Sequence, residues 1–284
     1  MQLLLRTTRS NGTPLNVNAA ATGFKWPVGP DAVGQTVTAP DWNPDNECGG
    51  GLHGLLWGQG AVCQLHGRTE FIEWQVVEVA PSSPVVDLDG KVKTQSVIIR
   101  FSGASPIEAC AFLKAHLPEG VVPSFDWVGD GCRTIAVRRS GNAIAGKGGT
   151  AISGDYGKSE VDEGGTAISG EFGYSYSKTG GESIAGDYGF ASTWSGGKAT
   201  VGDKGHAHAG RDGVAVAGAC GSAEAGADGI AIVGVMGHAA AGRGGTLVFT
   251  DKGGDTHSFR VDGYTLFPYL FYKWDEEQRK PVPR

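Results

Sequence analysis

From Gly141 to Gly253 a glycine stands at every eighth position without a miss, fifteen in a single register. A period this strict admits few folds. It predicts a β-solenoid, a coil of short strands with glycines at the corners. At two residues past each glycine from Gly141 to Gly245 stand only small or apolar residues, such as Ala143, Ala151, Ser159 and Ala167, and at four past it Ala145, Ser153, Val161 and Ser169. Charges occupy the first and third positions instead, as at Lys158, Glu160, Glu182 and Lys198. Side chains alternate across a strand, so the second and fourth positions point inward and enclose a thin core of Ala and Ser.

The units alternate in character, which doubles the period. Before every other register glycine stands a large residue (Tyr156, Phe172, Tyr188, Lys204, Cys220, Met236), and the intervening units carry Gly or Asp there. The expectation is a two-sided, all-β solenoid of 16-residue coils, each built of two 8-residue units. It comprises roughly seven coils of about 4.8 Å each, with Tyr156, Phe172 and Tyr188 stacked along one edge. The predicted organisation is an α+β N-terminal module (residues 1–140), the solenoid (141–254) and a C-terminal β cap (255–284).

Composition narrows the function classes. A net charge of −6 and the absence of a long apolar run argue against nucleic-acid and membrane partners. The start, Met1–Arg6, is too short and too soon polar for a signal peptide. Five cysteines at irregular spacing do not read as a disulfide framework, and a reducing cytoplasm is expected.

In the first module, Phe24–Gly29 reads as a short strand entering a turn. Glu70–Val79, Ser96–Phe101 and Cys132–Arg138 read as strands. Ser105-Pro106-Ile107-Glu108 opens a helix with an N-cap serine and a proline at the first helical position, and Cys110 faces the core. The unusual chemistry lies in Asp41-Trp42-Asn43-Pro44-Asp45-Asn46-Glu47-Cys48-Gly49-Gly50-Gly51-Leu52-His53. Three glycines either bring Cys48 and His53 to one point or permit a crowded crossing. Cys48, His53, Cys63 and His66 are the ligand types of a tetrahedral zinc site, at a spacing that matches no common finger. Cys48 with His53 also fits a nucleophilic pair, to be oriented by Asp41, Asp45 or Glu47. Trp42, Gly51 and His53 are the candidate ligand-binding residues. No cofactor is expected, zinc being the one alternative these residues leave open.

The outward third position of the repeat carries Ile152, Ile168, Ile184, Thr200, Val216, Ile232 and Val248 on one face, widened by Val214 and Ile230. Such a ladder does not suit a solvated surface. It predicts self-association, most simply as a homodimer; with the opposite facing, the same column would be interior. His206, His208 and His238 lie on the other face and read as plain surface. Downstream, Asp255–Val261 and Tyr264–Phe267 read as strands, the strongly aromatic Pro268–Trp274 follows and is placed to close the open edge, and the tail 275–284 reads as loose.

Taken in order, four features resemble an uncharacterised family of phage and bacterial proteins. These are the aromatic-glycine turn Phe24–Gly29, the Cys48/Gly51/Leu52/His53 element, the Lys-Thr-x-Ser strand and helix of Lys93–His116, and the Gly/Ala/Ser repeats ending in Val261-Asp262-Gly263. The resemblance covers nearly the full chain and implies a phage or prophage context rather than a particular chemistry. With no complete catalytic set in the sequence, the expected role is a non-enzymatic binding or scaffold protein, whose N-terminal module engages a ligand or host partner. The alternatives are an enzyme or nucleotide-binding module centred on Cys48 and His53, and a phage protein that sequesters a small molecule.

Overall fold

The computed structural model describes residues 1–15, 23–61, 65, 72–136 and 140–284. The chain is mostly β and divides into two units, Met1–Trp127 and Val128–Arg284.

In the first unit, β1 (Leu3–Arg9), β2 (Thr36–Thr38), β3 (Leu52–Leu56), β4 (Ile72–Val79), β5 (Val85–Asp87), β6 (Val92–Thr94) and β7 (Ser96–Gly103) form a sheet ordered β2-β7-β4-β1-β3-β6-β5. All its pairs are antiparallel. The two central strands are buried on both faces, Leu4 opposite Val77 and Leu5 opposite Val76. One face packs Leu4, Val77, Val97 and Ile99 with Trp26, Ala32 and Val37. The helix α1 (Pro106–Lys114) packs on β4 and β7. Its start has the local chemistry read from the sequence: Ser105 Oγ accepts from Glu108 N at 3.2 Å, with Pro106 at the first helical position. Cys110 is buried in it, which pushes its thiol up to about 12.

Phe24–Gly29, expected as a strand, is irregular. Pro27 has no N–H to give a ladder, and Gly29 turns the chain at φ 77°. The segment is held instead by single contacts, Trp26 N donating to Gly12 O at 2.8 Å and Gly29 N to Glu73 Oε1 at 2.7 Å.

The solenoid makes about eight turns between residues 125 and 249, one more than expected. Arg133–Ala136, read from the sequence as the last strand of the first module, is a solenoid strand, parallel to Thr150–Ser153 with Ile135 opposite Ile152. It precedes the first register glycine, so the glycine pattern does not mark it; Val137 and Arg138 lie outside the described residues. One sheet stacks Asn142–Ala145 through His238–Ala241, the other Arg133–Ala136 through Thr246–Thr250, each strand sixteen residues from its parallel neighbour from Asn142 onward. Strand after strand is buried at its second and fourth positions and only partly covered at its third.

The glycines divide the work at each corner. The residue before the register glycine is the one in the left-handed region: Gly148, Gly164 and Gly180 at φ 66–71°, and Tyr156, Phe172, Tyr188, Lys204 and Met236 at φ 54–61°. A left-handed backbone costs a non-glycine residue about 1 kcal/mol or more. Stacking on the neighbouring coil offsets this, with Tyr156–Phe172 and Phe172–Tyr188 ring centroids 5.0 and 4.8 Å apart and nearly parallel. The register glycines are required for space. A Cβ on Gly165 would stand 2.8 Å from Gly149 O and 2.9 Å from Val161 Cβ.

The interior changes along the coil. Ser153, Ser159, Ser169, Ser175, Ser177 and Ser183 form a hydroxyl seam in which Ser169 and Ser175 lie 2.8 Å apart, and Ser183 Oγ donates to Ser192 O at 2.8 Å and lies 3.0 Å from Ser177 Oγ. Past Ala185 the core is Ala and Val, with Thr193 among them, ending in Leu247 and Phe249. Beyond it, Thr256–Arg260 pairs antiparallel with Thr246–Thr250, and Tyr272–Asp275 with His238–Ala241. Tyr264–Phe267 is not a strand; Asp262 draws it into a turn by accepting from the Tyr264, Thr265 and Leu266 N–H groups. The tail, expected to be loose, pairs through Lys280–Pro283 with Tyr272–Asp275. Pro281 and Pro283 on that outer strand deny further chains a ladder to join.

These two kinds of glycine predict unequal responses to substitution. Gly165→Ala, whose Cβ would meet Gly149 O at 2.8 Å and Val161 Cβ at 2.9 Å, should lower stability by about 1–3 kcal/mol. Gly164→Asn, left-handed and with open space around it, should cost about 1 kcal/mol or less. Thermal denaturation of the two variants measures the contrast.

Candidate functional site

The loop between Asp41 and His53 is fixed from beneath by a residue that the sequence does not single out. Lys93 on β6 lies opposite His53 on β3, and its side chain is fully buried. Its ammonium donates to Asp45 Oδ1 at 2.6 Å, Glu47 O at 2.8 Å and Gly49 O at 3.2 Å. A buried ammonium is tolerated only where other oxygens replace its water, and here one loop supplies all three. The same bond holds the Asp45 carboxyl below its ordinary range.

The three glycines let this loop cross the preceding segment at close range. A Cβ on Gly50 would stand 2.7 Å from Asp41 O, and one on Gly51 3.1 Å from the Trp42 ring. Asn43 N donates to Gly50 O at 3.2 Å across the crossing. Trp42 and Gly51, named as ligand-binding candidates, are thus in contact with each other.

Cys48 is exposed, and the group on its thiol is Lys91 Nζ at 3.1 Å. No hydrogen bond joins Cys48 to His53 among the described residues. His53 is half-buried, and its Nε2 has no hydrogen-bond partner among them. Burial first, then Lys91, Lys93 and Arg6, push the imidazole down to about 4, with Asp41 opposing. A base that weak is poorly matched to proton abstraction near pH 7. Asp45, an expected orienting group for a Cys–His pair, is committed to Lys93. Among the described residues no three His, Cys, Asp or Glu side chains gather to hold a metal. Cys63 and His66 lie outside those residues, so only Cys48 and His53 of the four zinc candidates are placed.

A second buried cation lies under Phe24–Gly29. The Arg6 guanidinium sits 3.3 Å from the Trp26 ring centroid and hydrogen-bonds Gln75 Oε1. Gln75 Nε2 donates to Pro27 O at 2.7 Å, and Ser102 Oγ bridges Gln75 to Glu73. Burial pushes Arg6 down to about 9. This network ties the irregular segment to the sheet.

On the solenoid, the third-position residues form one continuous column. Ile135, Ile152, Ile168, Ile184, Thr200, Val216, Ile232 and Val248 oppose one another rung by rung. Val214 and Ile230 pair beside it, and Ile135 and Ile230 are 40% and 37% exposed. The column faces outward, since Ala151, Ala167, Ala199, Ala215 and Ala231 on the same strands are wholly buried. On the opposite sheet, His208 neighbours Glu224 and His206 neighbours Ser222.

Lys91, Lys93 and Arg6 are the residues that sequence reasoning missed. The only available signal was a cation beside apolar strand residues, which is also what a solvated strand face shows. No family model matches the chain, and no match is found among curated proteins or solved structures. Among the described residues no helix is long and apolar enough to cross a membrane.

His53 gives this site a pH signature. Its folded pKa lies below the unfolded value of 6.5, so the unfolded chain takes up the proton first. Stability is complete above about pH 6.5 and falls as pH drops toward about 4. The loss is at most about 3 kcal/mol, and less to the extent that solvent screens the ring. In urea melts from pH 7 to 4.5, His53→Gln should lose less stability than the parent.

Proposed function

We propose that the protein is a non-enzymatic, self-associating scaffold. In this reading the solenoid joins copies of the chain through its Ile/Val column, and the N-terminal unit presents the Asp41–His53 loop to a ligand or host partner. The observation that carries it is the outward column from Ile135 to Val248. Eight rungs at about 4.8 Å span about 34 Å, and a four-residue strand adds about 10 Å of width. A mostly apolar strip of several hundred Å² is at the upper end of what a soluble monomer exposes. It is also smaller than the roughly 800 Å² per partner of a standard stable interface. An association of modest affinity follows, with a two-fold pairing that sets column against column.

The weak basicity of His53, and the commitment of Cys48 to Lys91 and of Asp45 to Lys93, favour binding over catalysis at the loop. The reading places the protein in a reducing cytoplasm, with its thiols free, and the sequence resemblance suggests a phage or prophage setting. The loop's partner, on this reading, is a protein or a small neutral or anionic ligand that meets the Lys91 ammonium.

Multi-angle light scattering over a concentration series tests the assembly. We expect the mass to rise toward a dimer by tens of micromolar. Replacing Ile168, Ile184 and Ile232 together by Lys should hold the chain monomeric, with its far-ultraviolet circular dichroism unchanged. A parent protein that stays monomeric throughout would remove the reading.

A further inference from the structure

The contact between Cys48 and Lys91 has a chemistry that self-association does not use. We propose that Cys48 and Lys91 form an oxidation-dependent covalent bridge, a sulfenamide that staples the Asp45–Gly51 loop to the segment entering β6.

Three observations carry this. Cys48 is exposed, so a small oxidant reaches its sulfur. Lys91 Nζ stands 3.1 Å from that sulfur, close enough for the nitrogen to attack with little movement. The loop on either side of Cys48 is pinned, because the buried Lys93 ammonium holds Glu47 O and Gly49 O; the sulfur therefore stays beside Lys91. Among the described residues exposed Cys132 has no lysine bonded to its sulfur, Lys204 near Cys220 is hydrogen-bonded to Tyr188 Oη at 2.8 Å, and Cys110 is buried. The chain thus holds its own comparison thiols.

The oxidant is a peroxide. Its O–O bond breaks, one oxygen stays on Cys48 as the sulfenic acid, and the other leaves as water. The Lys91 nitrogen then attacks the sulfur, forming an S–N bond as the S–O bond breaks. The hydroxyl departs as water with one of the amine's protons, and the proton that made it an ammonium passes to solvent. Sulfenic acids undergo this condensation with nearby nitrogen, and a thiol reverses it.

The test is peptide mass spectrometry of the full-length protein after mild hydrogen peroxide, with and without dithiothreitol. The expected product joins the Cys48 and Lys91 peptides, about 2 Da lighter than the two together, with no tryptic cut at Lys91 and full reversal by thiol. In Lys91→Arg the joined species should vanish and Cys48 should proceed to sulfinic acid, the course also expected of Cys132. A parent protein whose Cys48 is oxidised to sulfinic acid without any link to Lys91 would overturn the proposal.

Discussion

The solenoid depends on how closely its backbone can approach its own side chains at each corner. Where a Cβ on a register glycine would stand under 3 Å from the residue four before it, as at Gly157, Gly173 and Gly213, nothing larger fits. That spacing fixes the separation of the two sheets, which in turn limits the inward columns to Ala, Ser, Thr and Val. A core of this kind buries little apolar area per residue, at about 0.8 kcal/mol per CH₂. Cohesion therefore rests largely on what one coil gives the next. Asp155, Asp187 and Asp203 each accept the N–H sixteen residues on, at 2.8–2.9 Å, and the corner rings stack. Because every coil offers the same edge, the far end has to be closed by something that is not a coil. The larger Leu247, Phe249, Leu266 and Tyr272 with the proline-bearing strand Lys280–Pro283 meet that need.

The periodic part of this design was legible because a repeated constraint leaves a repeated residue. The inward and outward columns, the sixteen-residue coil and the corner stack of Tyr156, Phe172 and Tyr188 all follow from one register. The exceptions are informative. Arg133–Ala136 belongs to the solenoid by pairing, yet no glycine announces it. Lys280–Pro283 reads as a polar tail because it is the outermost strand of its sheet, with only Tyr272–Asp275 beside it, and needs no apolar face in return. In the first unit the sheet order β2-β7-β4-β1-β3-β6-β5 places β1 against β4, across more than sixty residues. Local patterning cannot encode such a choice of neighbour.

The candidate loop was only half legible, for an electrostatic reason. Cys48, His53 and the three glycines are conspicuous as residue types, whereas the groups that organise them are lysines, which sequence reading assigns to the surface. Lys93 escapes that rule because Asp45 and two carbonyls replace its hydration shell. Arg6 escapes it by lying on Trp26 with Gln75 at its edge. A buried cation is costly unless its partners are held in place, so each of these residues implies an ordered segment above it. The glycine crossing and the Lys93 clamp are thus parts of one device: glycine allows the approach and the ammonium makes it persist.

That device also constrains what the loop can do. The positive charge of Lys91, Lys93 and Arg6 acts on an imidazole already short of water and keeps His53 neutral well into the acid range. A neutral ring with its Nε2 enclosed is a packing element with a polar edge, unsuited to shuttling protons at neutral pH. The thiol, by contrast, lies outside with a cation beside it. Chemistry at this loop is therefore displaced from the Cys–His pair that the residue types suggest to the Cys–Lys pair that the strand register builds, since pairing His53 with Lys93 turns Lys91 toward the loop that carries Cys48.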